Sequence, residues 1–121
     1  MSIAEPQLRT RGASQRVRNA REVLLDGSAN SMLQYVRDII CEPTRTQIVR
    51  ALTPGPLTVG EIALLLGRSK SATSQHLRVL RDGGVVSARR RGRMVMYSLA
   101  AQPMVAATVQ VLNQAAAIAA A

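Results

Sequence analysis

Residues 58–99, TVGEIALLLGRSKSATSQHLRVLRDGGVVSARRRGRMVMYSL, decide the fold. Thr58 followed by Glu61 has the spacing of a capping box, in which hydroxyl and carboxylate each satisfy a free backbone N–H at a helix start. The helix runs through Ile62, Ala63, Leu65 and Leu66 to Gly67, a residue suited to the left-handed conformation that closes helices. Gly67-Arg68-Ser69 then makes a tight turn, and Ser69 caps a second helix from Lys70 to Arg81. That helix buries a narrow stripe of Thr73, Leu77 and Leu80. Two short helices joined this way form a helix-turn-helix. Asp82-Gly83-Gly84 ends the pair, and Val85–Arg90 and Met94–Leu99 read as two strands around Arg91-Gly92-Arg93, a β-hairpin with a basic tip.

The chemistry lies on what the stripe leaves outside. Lys70, Ser71, Ser74, Gln75 and Arg78 make a short, polar, basic face, and the cap residue Ser69 at its start is a further candidate DNA-binding residue. Small hydroxyls let a helix sit deep in a major groove, and Gln75 offers paired donor and acceptor atoms to an adenine edge. Lys70 and Arg78 reach phosphates or guanine. An ordinary solvated helix face has similar composition. Arg89, Arg90, Arg91 and Arg93 shift the balance, because they gather on the hairpin directly after this helix, where they can lie along phosphates or enter a narrow minor groove. The expected fold class is mainly α with a β-hairpin wing, a winged helix-turn-helix.

Outward from this stretch, residues 1–27 hold Arg9, Arg11, Arg16, Arg18 and Arg21 among small and polar residues. They are expected to form a basic N-terminal arm, partly flexible, with a short helix from about Gln15 to Leu25 ended by Asp26-Gly27-Ser28. Residues 28–121 form the DNA-binding and dimerisation domain. Met32, Leu33, Val36, Ile39 and Ile40 recur at the spacing of an amphipathic helix that stops at Glu42-Pro43. Pro43 opens the next helix, whose Ile48, Val49 and Leu52 point inward. Pro103 starts a last helix to about Ala119. Its Met104, Val105, Val109, Val111, Leu112 and Ile118 cover most of the circumference, so it needs a partner, most economically the same helix of a second copy.

Bulk properties set limits. The chain of 121 residues has 16 Lys and Arg against 7 Asp and Glu, a net charge of +9. A pI of about 11.6 favours a polyanionic partner. Tyr35 and Tyr97 stand without Phe or Trp, which disfavours single-strand or RNA binding by stacking and leaves double-stranded DNA. One Cys excludes an internal disulfide and a Cys-rich zinc site. No secretory h-region is visible, so a cytoplasmic location is expected. From Met94 onward no side chain is charged, but Gln102, Thr108, Gln110, Asn113 and Gln114 make a poor membrane span.

Three segments resemble the ArsR/SmtB-type winged helix-turn-helix repressors of bacteria and archaea. Glu42-Pro43-Thr44-Arg45 with Ile48-Val49-Arg50-Ala51-Leu52 resembles the opening of that family's second core helix. Ser71-Ala72-Thr73-Ser74-Gln75-His76-Leu77-Arg78-Val79-Leu80 resembles its recognition helix. Gly84-Val85-Val86 through Arg91-Gly92-Arg93 to Tyr97-Ser98-Leu99 resembles its wing. The similarity spans about residues 32–99. It implies a homodimer built from first and C-terminal helices, an inverted-repeat operator, usually repression, and release by an effector. His76 matches a position often His in relatives, which implies a structural or phosphate-facing role.

The effector is where the chain departs from that pattern. Leu57-Thr58-Val59-Gly60-Glu61-Ile62 stands where a thiolate cluster would sense metal, and contains no Cys. Met104–Ala121 has no Asp, Glu, His or Cys to bind zinc between dimer helices. No cofactor and no metal are therefore expected. Cys41 is either a buried small residue or a redox switch, with a helix N-terminus and Arg45 favouring thiolate and Glu42 opposing it. A redox or small-molecule effector stays open. The chain lacks a catalytic triad, a paired-carboxylate site and a phosphate loop, which argues against an enzyme. The other readings are a winged-helix protein-interaction module and a nonspecific DNA-coating protein.

Overall fold

The computed structural model describes residues 14–120. In chain order they form α1 (Ser14–Leu24), α2 (Gly27–Tyr35), a π-helical turn (Val36–Ile40), α3 (Pro43–Ala51), β1 (Leu57–Thr58), α4 (Val59–Leu66), α5 (Lys70–Asp82), β2 (Val86–Arg91), β3 (Met94–Leu99) and α6 (Pro103–Ala120). The chain divides into two units between Tyr35 and Val36.

In the first unit, the Asp26-Gly27-Ser28 break ends α1 and also starts α2. The Asp26 carboxylate accepts the Ala29 N–H at 3.1 Å, and the Asn30 amide donates to the Leu24 carbonyl at 2.7 Å. Neither helix buries a residue. Arg9 and Arg11 of the expected arm lie outside the described residues.

The second unit has one core. Ile48, Val49 and Leu52 follow α3, Ile62 and Ala63 come from α4, and Thr73, Leu77 and Leu80 from α5, joined by Ile40, Val85, Val86 and Val105. The helix expected over Met32–Ile40 does not stay α-helical. It widens at Val36, where the Cys41 N–H donates to the Val36 carbonyl at 3.0 Å, and Met32 and Leu33 are exposed in the first unit. Side chains of α3 take the carbonyls that the end of this turn leaves open. Arg45 Nε donates to the Ile39 carbonyl at 2.7 Å, its Nη2 to Asp38 at 3.0 Å, and Thr46 Oγ1 to Ile40 at 2.7 Å. Glu42 caps α3 by accepting the Arg45 N–H at 2.9 Å, with Pro43 in the first turn.

At the start of α4 the capping box forms in both directions, 3.2 Å from the Glu61 N–H to Thr58 Oγ1 and 2.9 Å from the Thr58 N–H to Glu61 Oε1. Gly67 closes this helix at φ 63°. Gly83, ending α5, packs where a Cβ would come within 2.9 Å of Ile39 Cγ2, so a larger residue would have to displace Ile39.

The strands pair antiparallel in the order β1-β3-β2. β2 occupies 86–91 and not 85–90. Val85 is buried before the strand, with its N–H on the Leu80 carbonyl and its carbonyl accepting from Ala100, both at 2.8 Å. The hairpin loop is Gly92-Arg93. Gly92 has φ 64° and Arg93 has no positive φ, as a type II′ loop requires. β1 is too short for alternation to reveal it in sequence; it is defined by Leu57 opposite Tyr97 and Thr58 opposite Met96.

Replacing Arg45 with Ala strands two carbonyls and is expected to cost about 2–3 kcal/mol in urea unfolding. Arg50→Ala, on the exposed side of α3, is expected to stay within about 0.5 kcal/mol. Equal effects would remove the Arg45 staple from the account of this turn. Burial pushes the Glu42 carboxyl up, but the N–H groups of Arg45 and Thr44 and the charges of His76 and Arg45 outweigh it and hold it below the usual value. A carboxylate depressed in the native state stabilises above its unfolded pKa and loses that contribution as pH falls through its native one. Glu42→Gln is therefore expected to flatten stability against pH on the acid side; an unchanged slope would contradict it.

Candidate nucleic-acid interface

The orientation of α5 follows from its buried stripe. Thr73, Leu77 and Leu80 are at most 1% exposed. Thr73 satisfies its hydroxyl internally, donating to the Ser69 carbonyl at 2.8 Å. With 3.6 residues per turn, Lys70, Ser71, Ser74, Gln75 and Arg78 fall on the opposite side, and all five are exposed. Arg81 shares that side and was not singled out in the sequence, although its i+7 spacing from Ser74 is the signal for it. Ser74, Arg78 and Arg81 also line a groove that reaches Tyr97 on β3.

Two residues beside this face are committed elsewhere. Ser69 uses its hydroxyl oxygen as the α5 cap, accepting the Ala72 N–H at 3.0 Å. His76 turns away from the polar face and is half-buried, with Nδ1 3.5 Å from Arg45 Nη1 and 3.6 Å from Glu42 Oε2. Lys70 folds its stem over Gly60 of α4: a Cβ there would lie 3.2 Å from Lys70 Cε. The glycine thus holds space for a cation at the helix-turn-helix junction.

Register separates the wing arginines. Val86, Ala88 and Arg90 share the core side of the sheet with Leu99, Tyr97 and Val95. Ser87, Arg89 and Arg91 share the outer side with Ser98, Met96 and Met94. Arg93 is in the loop. These four arginines are exposed, and none has a side-chain partner among the described residues. The unpaired positive charge therefore lies on both faces and at the tip.

Cys41 ends the π-helical turn and is exposed, against the expectation of a buried small residue. It falls in the break between helices, where neighbouring carbonyls are taken by Arg45 and Thr46. Among the described residues no three of His, Cys, Asp and Glu lie together as a metal ion would need.

The arsR family model of bacterial regulatory proteins matches residues 42–88, from the α3 cap into β2. The HTH-type transcriptional regulator NmtR of Mycobacterium tuberculosis is 38% identical over 82 residues, 68% of this chain and 68% of that protein. The solved structure of HlyU from Vibrio cholerae superposes with a TM-score of 0.67 at 31% identity, covering 73% of this chain and 95% of that one. The homodimeric winged helix-turn-helix DNA-binding domain Mb0332 from Mycobacterium bovis gives a TM-score of 0.61 at 29% identity, covering 72% and 82%. With the helix-turn-helix, the wing and these likenesses together, the chain belongs to the arsR family of bacterial transcriptional regulators, DNA-binding proteins of the winged helix-turn-helix fold.

Proposed function

We propose that the chain binds double-stranded DNA as a homodimer, setting α5 into successive major grooves of an inverted-repeat operator, and represses transcription there. The observation that carries this reading is the face of α5 opposite its buried stripe. Ser71, Ser74 and Gln75 meet base edges, Lys70 and Arg78 meet backbone or guanine, and Ser69 and His76 hold the helix in place. Arg89, Arg90, Arg91 and Arg93 add affinity through phosphates. The domain boundary proposed for function remains the basic arm of residues 1–27 and the DNA-binding and dimerisation domain of residues 28–121. The activity is regulatory and not enzymatic.

The dimer rests on α6 and on the homodimeric solved relative. Only Val105 of this helix is buried, while Val111 is 63% and Ile118 77% exposed. By length and composition α6 could also cross a bilayer. Its Gln110, Asn113 and Gln114, and its packing on the core through Val105, favour a protein partner.

Duplexes enriched from a random pool by the full chain provide the test. Gln75→Ala is expected to cost about 1–3 kcal/mol on an enriched duplex and little on random DNA. Arg93→Ala is expected to weaken both and to reduce the salt slope by about one unit. Equal Gln75→Ala losses on both would refute base reading by that residue. Absence of any enrichment would favour nonspecific coating, and absence of duplex binding a protein-interaction module.

Sedimentation at micromolar concentration is expected to give a dimer, and Val111→Glu with Ile118→Glu a folded monomer with weak operator binding. A monomeric unmodified chain, or one that pellets with vesicles, would contradict the dimer.

The exposed Cys41 thiol is the candidate redox effector site, a peroxide oxidising its thiolate to sulfenate with release of water. Peroxide is expected to lower operator affinity in the unmodified chain and not in Cys41→Ser; identical responses would end this reading.

A further inference from the structure

The outer side of the three-stranded sheet carries a cleft of about 490 Å³ lined by Pro56, Ser87, Arg89, Arg91, Met96 and Ser98. Its composition follows from the register. Ser87 lies directly opposite Ser98 and Arg89 opposite Met96, and alternation puts Arg91 on the same side one step further along β2. The floor thus holds two hydroxyls side by side, and two arginines whose Cα atoms are about 7 Å apart along one strand. Pro56, just before β1, forms one wall and has no N–H to offer.

No carboxylate lines this cleft. Neither guanidinium and neither hydroxyl has an intramolecular side-chain partner among the described residues. Two neighbouring positive charges without a counter-charge repel each other, and the hydroxyls can turn their hydrogens inward. A tetrahedral oxyanion satisfies both needs: each guanidinium can donate through two N–H groups, and each serine through its O–H. The face is also separate from the base-reading side of α5, because the core side of the same sheet is the one that packs inward.

We propose that this cleft is a phosphate-binding site, held by Arg89, Arg91, Ser87 and Ser98. The phosphate can belong to a small free molecule, or to the DNA backbone beyond the segment read by α5. The second source rests on the proposed DNA binding; the first does not.

The full chain without DNA is titrated with inorganic phosphate and with pyrophosphate at constant ionic strength, and the amide resonances of Ser87, Ser98 and Arg89 are followed by NMR. In parallel, affinity is measured for an enriched duplex with and without about ten added base pairs, one helical turn, on each side. Saturable shifts, weakened about tenfold in the charge-neutral double variant Ser87→Ala/Ser98→Ala and abolished in Arg89→Gln, establish the site for a free phosphate. Without saturation, a loss of about tenfold for the serine pair that is confined to the longer duplex, with Arg89→Gln weakening both, establishes it for flanking backbone. Non-saturating shifts together with serine variants that bind both duplexes like the unmodified chain overturn the proposal. Failure to bind any duplex would refute the proposed function, while the phosphate titration would still decide the cleft.

Discussion

Burying Thr73, Leu77 and Leu80 along one edge of α5 fixes the rotation of that helix, and its rotation decides which side chains can meet DNA. Each leucine contributes about 1.5–3 kcal/mol through burial, more than the exposed polar residues of the same helix can gain or lose by turning. Lys70, Ser71, Ser74, Gln75 and Arg78 are therefore presented together as a consequence of where the apolar residues go. Ile48 and Val49 of α3, Ile62 of α4 and Val86 of β2 belong to the same core, so the wing is referred to the same frame as the helix.

A second, polar constraint holds the other end of that frame. Arg45 joins the carbonyls of Asp38 and Ile39 to α3 and approaches His76 on α5. The residue sequence Glu42-Pro43-Thr44-Arg45 thus does more than start a helix: it caps α3, closes the π-helical turn before it and meets the half-buried side of α5. A histidine inside the candidate interface segment can affect DNA affinity from this position by holding the helix.

Much of this was readable in the residues because it depends on local chemistry. The Thr58–Glu61 box, the Gly67 closure, the Ser69 cap and the α5 stripe each need only a few neighbouring positions, and each forms as its spacing indicates. Features that depend on distant partners were hidden. The widening at Val36 is accompanied by bonds from side chains of the following helix, and the apolar spacing of Met32–Ile40 carried no sign of it. β1 exists through its pairing with β3. The division of the wing arginines between two faces required the register, since Arg89, Arg90 and Arg91 are simply consecutive in sequence. The exposure of Cys41 likewise follows from the break in which it sits.

The central claim is that one surface, the polar face of α5 with the arginine-bearing wing, meets duplex DNA. Amide chemical-shift mapping of the full chain with an enriched operator duplex tests it most directly. Perturbations should concentrate at Lys70–Arg78 and Arg89–Arg93 and be small at the exposed Leu64 and Leu65 of α4. Perturbations centred on α4 or α6, with α5 and the wing unchanged, would contradict it.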